Sequence, residues 1–180
     1  MTIIYGYCGD EDTKALKAIW EGIKNVKVVN AFKTSHEDVR DAVVAEKDIL
    51  VLCGHGSSEG LFGANGYAVD GLDAGLIQAQ YVIGVWCHAK AYAKKYHVEG
   101  FFTSMYISNI NEARVCLSDT SDLTNEIVLK SVVRFCKLLN ELIRKDIKNI
   151  KSWPETILRL LPPINSAEKY NHEALEYVEF

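Results

Sequence analysis

Apolar runs of strand length alternate with helix-like segments over the first hundred residues of the chain. In the segments between the runs, hydrophobic residues recur at the spacing of a buried helix face. We predict strands at 2–8, 26–31, 48–53, 80–86 and 100–105, and helices at 12–24, 36–46, 72–78 and 89–97. With right-handed crossovers, this order predicts a mostly parallel sheet with helices on both faces, a three-layer α/β/α sandwich.

The rest of the chain is predicted to be mainly helical. Residues 106–122 are polar and irregular, which is typical of a functional or mobile loop. We predict a long helix at about 123–148, capped by Thr120 or Asp122, a short helix beginning at Ser152-Trp153-Pro154, and a peripheral helix within 165–180. No repeat or linker interrupts this pattern, so one domain is predicted over 1–180, with its core at about 1–105 and a C-terminal helical part at about 120–180.

The segment between the third and fourth predicted strands is rich in glycine. Six glycines lie between Gly54 and Gly71, and Asn65-Gly66 stands between two apolar runs, which predicts a hairpin. Neither Gly-Lys-Ser/Thr nor Gly-x-Gly-x-x-Gly occurs here, so the pattern does not favour a nucleotide-binding loop.

Charge and cysteine content narrow the function classes. The formal net charge of −4 gives no reason to expect a nucleic-acid partner. No apolar run is long enough to span a membrane, and residues 1–7 lack the features of a signal peptide. The five cysteines are odd in number and irregularly spaced, so we expect reduced thiols and a cytoplasmic location.

Two reactive side chains follow neighbouring predicted strands. His55 lies two residues after the third strand, and Cys87 lies one residue after the fourth. Adjacent strands are about 4.8 Å apart, and the carboxyl ends of parallel strands meet at one sheet edge. We therefore predict a Cys87 nucleophile with His55 as general base, assisted by the start of the following helix and by oxyanion donors at the amides of Gly56 and Cys87.

Structural interpretations of the same residues remain open at this stage. A cysteine at a strand end is more often packing than nucleophile, and a histidine in a Gly-Ser loop is more often a surface residue. A zinc site is also conceivable, with Cys53, His55, Cys87 and His88 as ligands. Their spacing matches no known zinc finger, however, and Cys53 belongs to a predicted buried strand. We predict no metal and no cofactor, His88 as the first helical residue, and His36, His97 and His172 on the surface.

The two strand-end blocks resemble those of the caspase-like cysteine peptidases, which include caspases, metacaspases, gingipain, clostripain and the CHAT-type proteins. Ile49-Leu50-Val51-Leu52-Cys53-Gly54-His55-Gly56-Ser57 is similar to the family's His-Gly block, and Val82-Ile83-Gly84-Val85-Trp86-Cys87 to its strand-then-Cys block. The resemblance covers about 1–105. It implies a caspase-like core and a cysteine endopeptidase that needs no cofactor, with Cys87 and His55 as its dyad.

The resemblance also bears on specificity. The caspase Gln-Ala-Cys-Arg-Gly block is replaced by Val85-Trp86-Cys87-His88-Ala89, which argues against cleavage after Asp. In this family the loop after the first strand often lines the pocket for the residue before the cleaved bond. Asp10 or Asp12 would then favour Lys or Arg in a polypeptide substrate, and Ser104 could contact it. Alternatively these acids only cap the first helix, and the chain is an inactive caspase-like or flavodoxin-like module that binds a protein partner.

Overall fold

A computed structural model describes residues 1–180, and its centre is a six-stranded sheet. The strands are β1 Thr2–Gly6, β2 Lys27–Asn30, β3 Ile49–Gly54, β4 Gly56–Ser57, β5 Gly60–Gly63, β6 Gly66–Asp70, β7 Tyr81–Val85, β8 Gly100–Phe102 and β9 Glu176–Val178. The main sheet has the order β2-β1-β3-β7-β8-β9, and only β9 runs antiparallel to its neighbour. The predicted mostly parallel sheet is therefore confirmed.

Helices cover both faces of this sheet. They are α1 Glu11–Ala15, α2 His36–Ala45, α3 Gly71–Ala74, α4 Ala89–Tyr96, α5 Ile110–Cys116, α6 Asn125–Lys145, α7 Trp153–Leu160 and α8 Ser166–Glu173, with 3₁₀-helices at Leu16–Ile19 and Ile147–Ser152. Successive β3 side chains point to opposite faces: Val51 and Cys53 join the core beneath α6, whereas Leu50 and Leu52 join the core beneath α2 and α4. This two-sided burial gives the predicted α/β sandwich.

The glycine-rich segment forms a separate three-stranded antiparallel sheet, β4-β5-β6. Its β5–β6 connection contains Asn65-Gly66, as the hairpin pattern predicts, and Gly66 has a φ of +119°, a conformation that glycine adopts without strain. The small sheet begins directly after β3, so it fixes the position of the His55 loop.

The first helix is shorter than the predicted 12–24. α1 and the 3₁₀-helix end at Ile19, and the chain then turns through Gly22 and Asn25, both with positive φ. The N-cap of α1 is Asp10. The helical spacing of the apolar residues continued past the true end of the helix because the same residues also pack in the turn.

The C-terminal part differs most from the sequence prediction. The segment 106–122 contains α5, and the cap of α6 is Thr124, whose side chain accepts a hydrogen bond from the Ile127 amide at 3.2 Å. The predicted peripheral helix is the buried helix α8 followed by strand β9. His172, expected on the surface, is 2 % exposed on α8, because Arg134 of α6 pairs with Glu168 at 2.6 Å and holds that helix against the core. No helix combines the length and the apolar character that crossing a bilayer requires.

Candidate active site

The strand register places His55 and Cys87 at the same level of the sheet edge. Cys53 of β3 is paired with Val85 of β7, and each candidate residue follows its paired residue by two positions. Both residues line one narrow cleft at this edge, whose free volume of about 20 Å³ has room for roughly one water molecule. Its walls are completed by Asp12, Thr13, Leu16, Gly54, Val85, Trp86, Tyr106, Ser108 and Val132.

Gly54 sets the direction of the His55 loop. Its φ is +149°, and a Cβ at this position would lie 2.8 Å from the Gly6 Cα on the neighbouring strand β1. A larger residue would therefore separate β3 from β1 where both strands end.

Thr103 holds the turn that precedes Cys87. Its fully buried hydroxyl accepts a hydrogen bond from the Trp86 amide at 3.2 Å and donates one to the Trp86 carbonyl at 2.8 Å. The Trp86 indole in turn donates to the Ser57 carbonyl at 3.0 Å. These bonds join the end of β7 to the segment after His55 and so couple the two sides of the cleft.

The Cys87 thiol is held as a neutral group in this conformation. Its Sγ donates to the Tyr106 carbonyl at 3.6 Å, and no hydrogen bond joins it to the His55 ring. Burial raises the pKa of Cys87 to about 11, and the Glu112 carboxylate adds to the rise. Conversion to a thiolate at neutral pH therefore requires a proton acceptor that reaches the sulfur.

The start of α4 gives the thiolate little help. His88 is the N-cap of α4, with a φ of +69°, rather than its first helical residue. The amides of His88, Ala89 and Lys90 donate to the carbonyls of Ser104, Trp86 and Thr103 respectively. The amide of Cys87 itself makes none of the hydrogen bonds found within the chain, which leaves it available to a developing oxyanion.

Gly56, the other predicted oxyanion donor, lies in β4 opposite Leu61. A Cβ here would lie 2.2 Å from the Trp86 indole and 2.6 Å from the Gly60 carbonyl oxygen. Only glycine permits the close contact of this strand with Trp86.

The His55 ring faces the end of β1. Its Nε2 lies 3.4 Å from Asp10 Oδ2, and its side chain is 36 % exposed. Asp10 can therefore orient the imidazole, the task of the third group in a nucleophile–base arrangement.

Asp10 is heavily engaged within the protein. Its carboxylate accepts hydrogen bonds from the Thr13 amide at 2.7 Å, the Thr13 hydroxyl at 2.8 Å and the Cys8 thiol at 2.6 Å. Burial alone would raise the pKa of Asp10, but the hydrogen bonds from Cys8 and Thr13 outweigh it and, with the His55 ring, hold this pKa well below its usual range.

The other predicted substrate contacts separate into two groups. Asp12 is half-buried on the cleft wall and accepts a hydrogen bond from Asn109 Nδ2 at 2.7 Å. Ser104 is half-buried but is not part of that wall, which instead contains Ser108. Glu112 accepts hydrogen bonds from both the amide and the hydroxyl of Ser108, at 2.7 and 2.9 Å.

The four potential zinc ligands considered from the sequence, Cys53, His55, Cys87 and His88, do not form one site in the structure. Cys53 is fully buried in β3, and the His88 side chain is exposed. The groups around His55 are Cys8 and Asp10, which the sequence pattern left unconnected to it. The same strand-end rule that selects His55 could have found Cys8, since it follows β1 as His55 follows β3.

No protein-family model matches the chain, and neither curated proteins nor solved structures give a significant match.

Proposed function

We propose that the chain is a cysteine endopeptidase in which Cys87 is the nucleophile and His55 the general base and acid. The observation that carries this proposal is the register of β3 and β7. It puts a histidine and a cysteine at equivalent positions past adjacent parallel strands, on the walls of one cleft. The same two strand ends form the blocks that resemble the caspase-like peptidases, and this resemblance agrees with the proposal.

The chemistry follows from the groups around the cleft. The Cys87 thiol transfers its proton to His55, and the sulfur attacks the peptide carbonyl carbon to form a tetrahedral intermediate. The Cys87 and Gly56 amides hydrogen-bond to the oxyanion. His55 then protonates the leaving amine as the C–N bond breaks, and a water molecule hydrolyses the thioester to release the acid and regenerate the thiol.

The conformation described here corresponds to a resting state of such an enzyme. The thiol is bound to the Tyr106 carbonyl, and burial keeps its pKa near 11, so proton transfer requires the sulfur to turn towards His55. Substrate in the cleft would contact Tyr106 and Ser108 and could favour that rotation.

A basic residue before the cleaved bond would complement the charge of Asp12. Asp12 is half-buried on its wall and forms no ion pair with a lysine or arginine. Asp10, by contrast, already has four contacts with three residues of the protein. We therefore assign the preference for Lys or Arg to Asp12 rather than to Asp10.

Peptidyl chloromethylketones test the assignment because they report both the nucleophile and the specificity. A probe ending in Arg should label Cys87, as identified by peptide mass mapping, and a probe ending in Asp should label it far more slowly. Cys87→Ala should abolish labelling and His55→Ala should slow it about 100-fold or more. His36→Ala, at an exposed histidine, is the matched control.

The alternative is a protein-binding module without catalysis. The observation that favours it is the Cys87 thiol, which is buried and bound to a carbonyl, while the first α4 amides are occupied. Equal labelling of several cysteines, unaffected by His55→Ala and by the last residue of the probe, would support this module and contradict the peptidase.

A further inference from the structure

Three metal-ligating side chains meet at the carboxyl ends of β1 and β3. Tyr5 and Gly6 of β1 are paired with Cys53 and Gly54 of β3, so the residues that follow these strands start from the same level. Cys8 Sγ, Asp10 Oδ2 and His55 Nε2 come within 4.8 Å of one another. We propose that Cys8, Asp10 and His55 bind one divalent metal ion of the Zn²⁺ class.

The distances suit a tetrahedral ion. With Zn–N and Zn–O bonds of about 2.0–2.1 Å, two such ligands are separated by roughly 3.3 Å. His55 Nε2 and Asp10 Oδ2 are already 3.4 Å apart. A Zn–S bond of about 2.3 Å requires roughly 3.6 Å between sulfur and oxygen, so Cys8 Sγ must move outwards from its present 2.6 Å.

Cys8 is able to make that movement. Its side chain is exposed, and the next residue, Gly9, has a φ of +111° with no atom within 4 Å of a built Cβ. The proton of the Cys8 thiol lies between sulfur and the Asp10 carboxylate. The ion replaces this proton: a Zn–S bond forms, the S–H bond breaks, and the proton leaves to solvent.

The Asp10 carboxylate is already oriented for a ligand role. Thr13 donates to both of its oxygens, its amide to Oδ1 and its hydroxyl to Oδ2. Such support of a ligating carboxylate is typical of metal sites. Three protein ligands at an accessible edge leave the fourth position for water or a substrate group.

A second group of potential ligands, His36, Asp70 and Asp73, is a poorer candidate. Asp73 already binds Arg40 Nε at 2.8 Å and accepts the Asp70 amide in the capping box of α3. An ion there would have to displace the guanidinium. Asp10 forms no ion pair with a lysine or arginine, so nothing charged has to leave.

Metal binding would occupy His55 Nε2 and leave the ring proton on Nδ1, so the imidazole would have no free nitrogen to accept a proton from Cys87. This consequence for catalysis rests on the proposed function, whereas metal binding itself does not. The proposed peptidase would then be inhibited when the metal ion is available and bound.

Titration of the full, reduced chain with Co²⁺ tests the site without any activity measurement. We expect a thiolate-to-cobalt charge-transfer band that saturates at one equivalent and is displaced by Zn²⁺. Cys8→Ser should abolish this band, and Thr13→Val, which removes one hydrogen bond to Asp10, should weaken binding about 10- to 100-fold. His36→Gln and Cys87→Ala should leave the band and its stoichiometry unchanged.

A measurement on the unsubstituted protein guards against a folding defect in the variants. One equivalent of Zn²⁺ should protect Cys8, but not Cys116, from iodoacetamide. A band that persists in Cys8→Ser, loss of the band in Cys87→Ala or His36→Gln, or no protection of Cys8 would each overturn the proposal. None of these outcomes depends on whether the chain cleaves peptides.

Discussion

The two walls of the cleft arise at the same sheet edge but have opposite character. The wall after β1 and β3 carries His55, whose ring interacts with Asp10 and lies near Cys8, and all three side chains are exposed or half-buried. The wall after β7 and β8 carries Cys87 and Tyr106, and the thiol there is turned towards a backbone carbonyl. A position at the end of a strand therefore does not by itself make a side chain reactive. The elements that pack over the side chain determine its protonation state.

The cause of the difference is the packing above each strand end. Tyr106 packs on Phe135 of α6, and this contact buries the β7 side of the cleft. After β1 the chain instead turns at Gly9 into α1, whose N-cap Asp10 remains near solvent. His55, the proposed base, is thus held in a polar environment, whereas Cys87, the proposed nucleophile, is held in an apolar one.

The largest predicted effect concerns the contact that keeps the two walls together. Gly56→Ala places a methyl group 2.2 Å from the Trp86 indole, so we expect the free energy of unfolding to fall by about 3 kcal/mol in urea denaturation. Gly75→Ala is the control, since a Cβ at this position would have no atom within 4 Å. A Gly56→Ala protein as stable as Gly75→Ala would contradict the described contact.

A smaller loss is expected at the turn before Cys87. Thr103→Val leaves the buried Trp86 amide without its partner and leaves the Trp86 carbonyl with only its bond from the Ala89 amide, which should lower the free energy of unfolding by about 2 kcal/mol. Thr103→Ser keeps the hydroxyl and should be the more stable of the two variants. The reverse order would show that the methyl group, and not the hydrogen bonds, holds the turn.

The protonation state of Cys87 can be measured directly from the pH dependence of its alkylation. With a pKa of about 11, the rate of iodoacetamide modification at Cys87 should rise about tenfold per pH unit through the alkaline range. A small free thiol, with a pKa of about 8.5, should reach its plateau earlier. A plateau of the Cys87 rate near neutral pH would reveal a preformed ion pair with His55 and remove the contrast between the walls.

The smallest effect is expected at Asp10. Asp10→Ala removes the N-cap of α1 and should lower the free energy of unfolding by about 1 kcal/mol at pH 7. The pKa of Asp10 is lower in the folded than in the unfolded chain, so its stabilisation is present above about pH 4 and declines as the pH falls further. The difference in free energy of unfolding between Asp10→Ala and the unsubstituted protein should therefore become smaller in acid.

The matched control for that experiment is Asp41→Ala, which removes an exposed carboxylate of α2 without a hydrogen bond or an ion pair. The free energy of unfolding of Asp10→Ala is compared with that of the unsubstituted protein. If the difference stays constant from neutral pH into acid, the described carboxylate interactions are contradicted.

The main sheet could be predicted from the sequence, and so could the position of His55 and Cys87 at one edge of it, because both depend on local patterns. Each buried strand is a short apolar run, and a parallel sheet brings the ends of such runs together. The same rule explains why Cys8 lies near His55. The pattern began the first helix at Asp12 as its cap, and this was wrong, since the contact with Thr13 shows that Asp10 is the cap.

The parts that could not be predicted depend on contacts between distant segments. The loop that carries Tyr106 and Ser108 is held by Asn171, whose side chain binds both the amide and the carbonyl of Ile107 across 64 positions of the sequence. Strand β9 is likewise defined by its pairing with β8. Neither contact leaves a periodic signal in the residues themselves.

The position of Trp86 has a consequence for observing this protein. Its indole is bonded to the Ser57 carbonyl and touches Gly56, and the next residue is Cys87. Any rearrangement of the cleft changes the surroundings of this ring, whereas Trp153 lies in the core beneath the sheet and Trp20 stacks edge-on against Tyr5. Trp86 is thus a natural fluorophore placed beside Cys87, and its emission can be used to follow changes in the cleft over time.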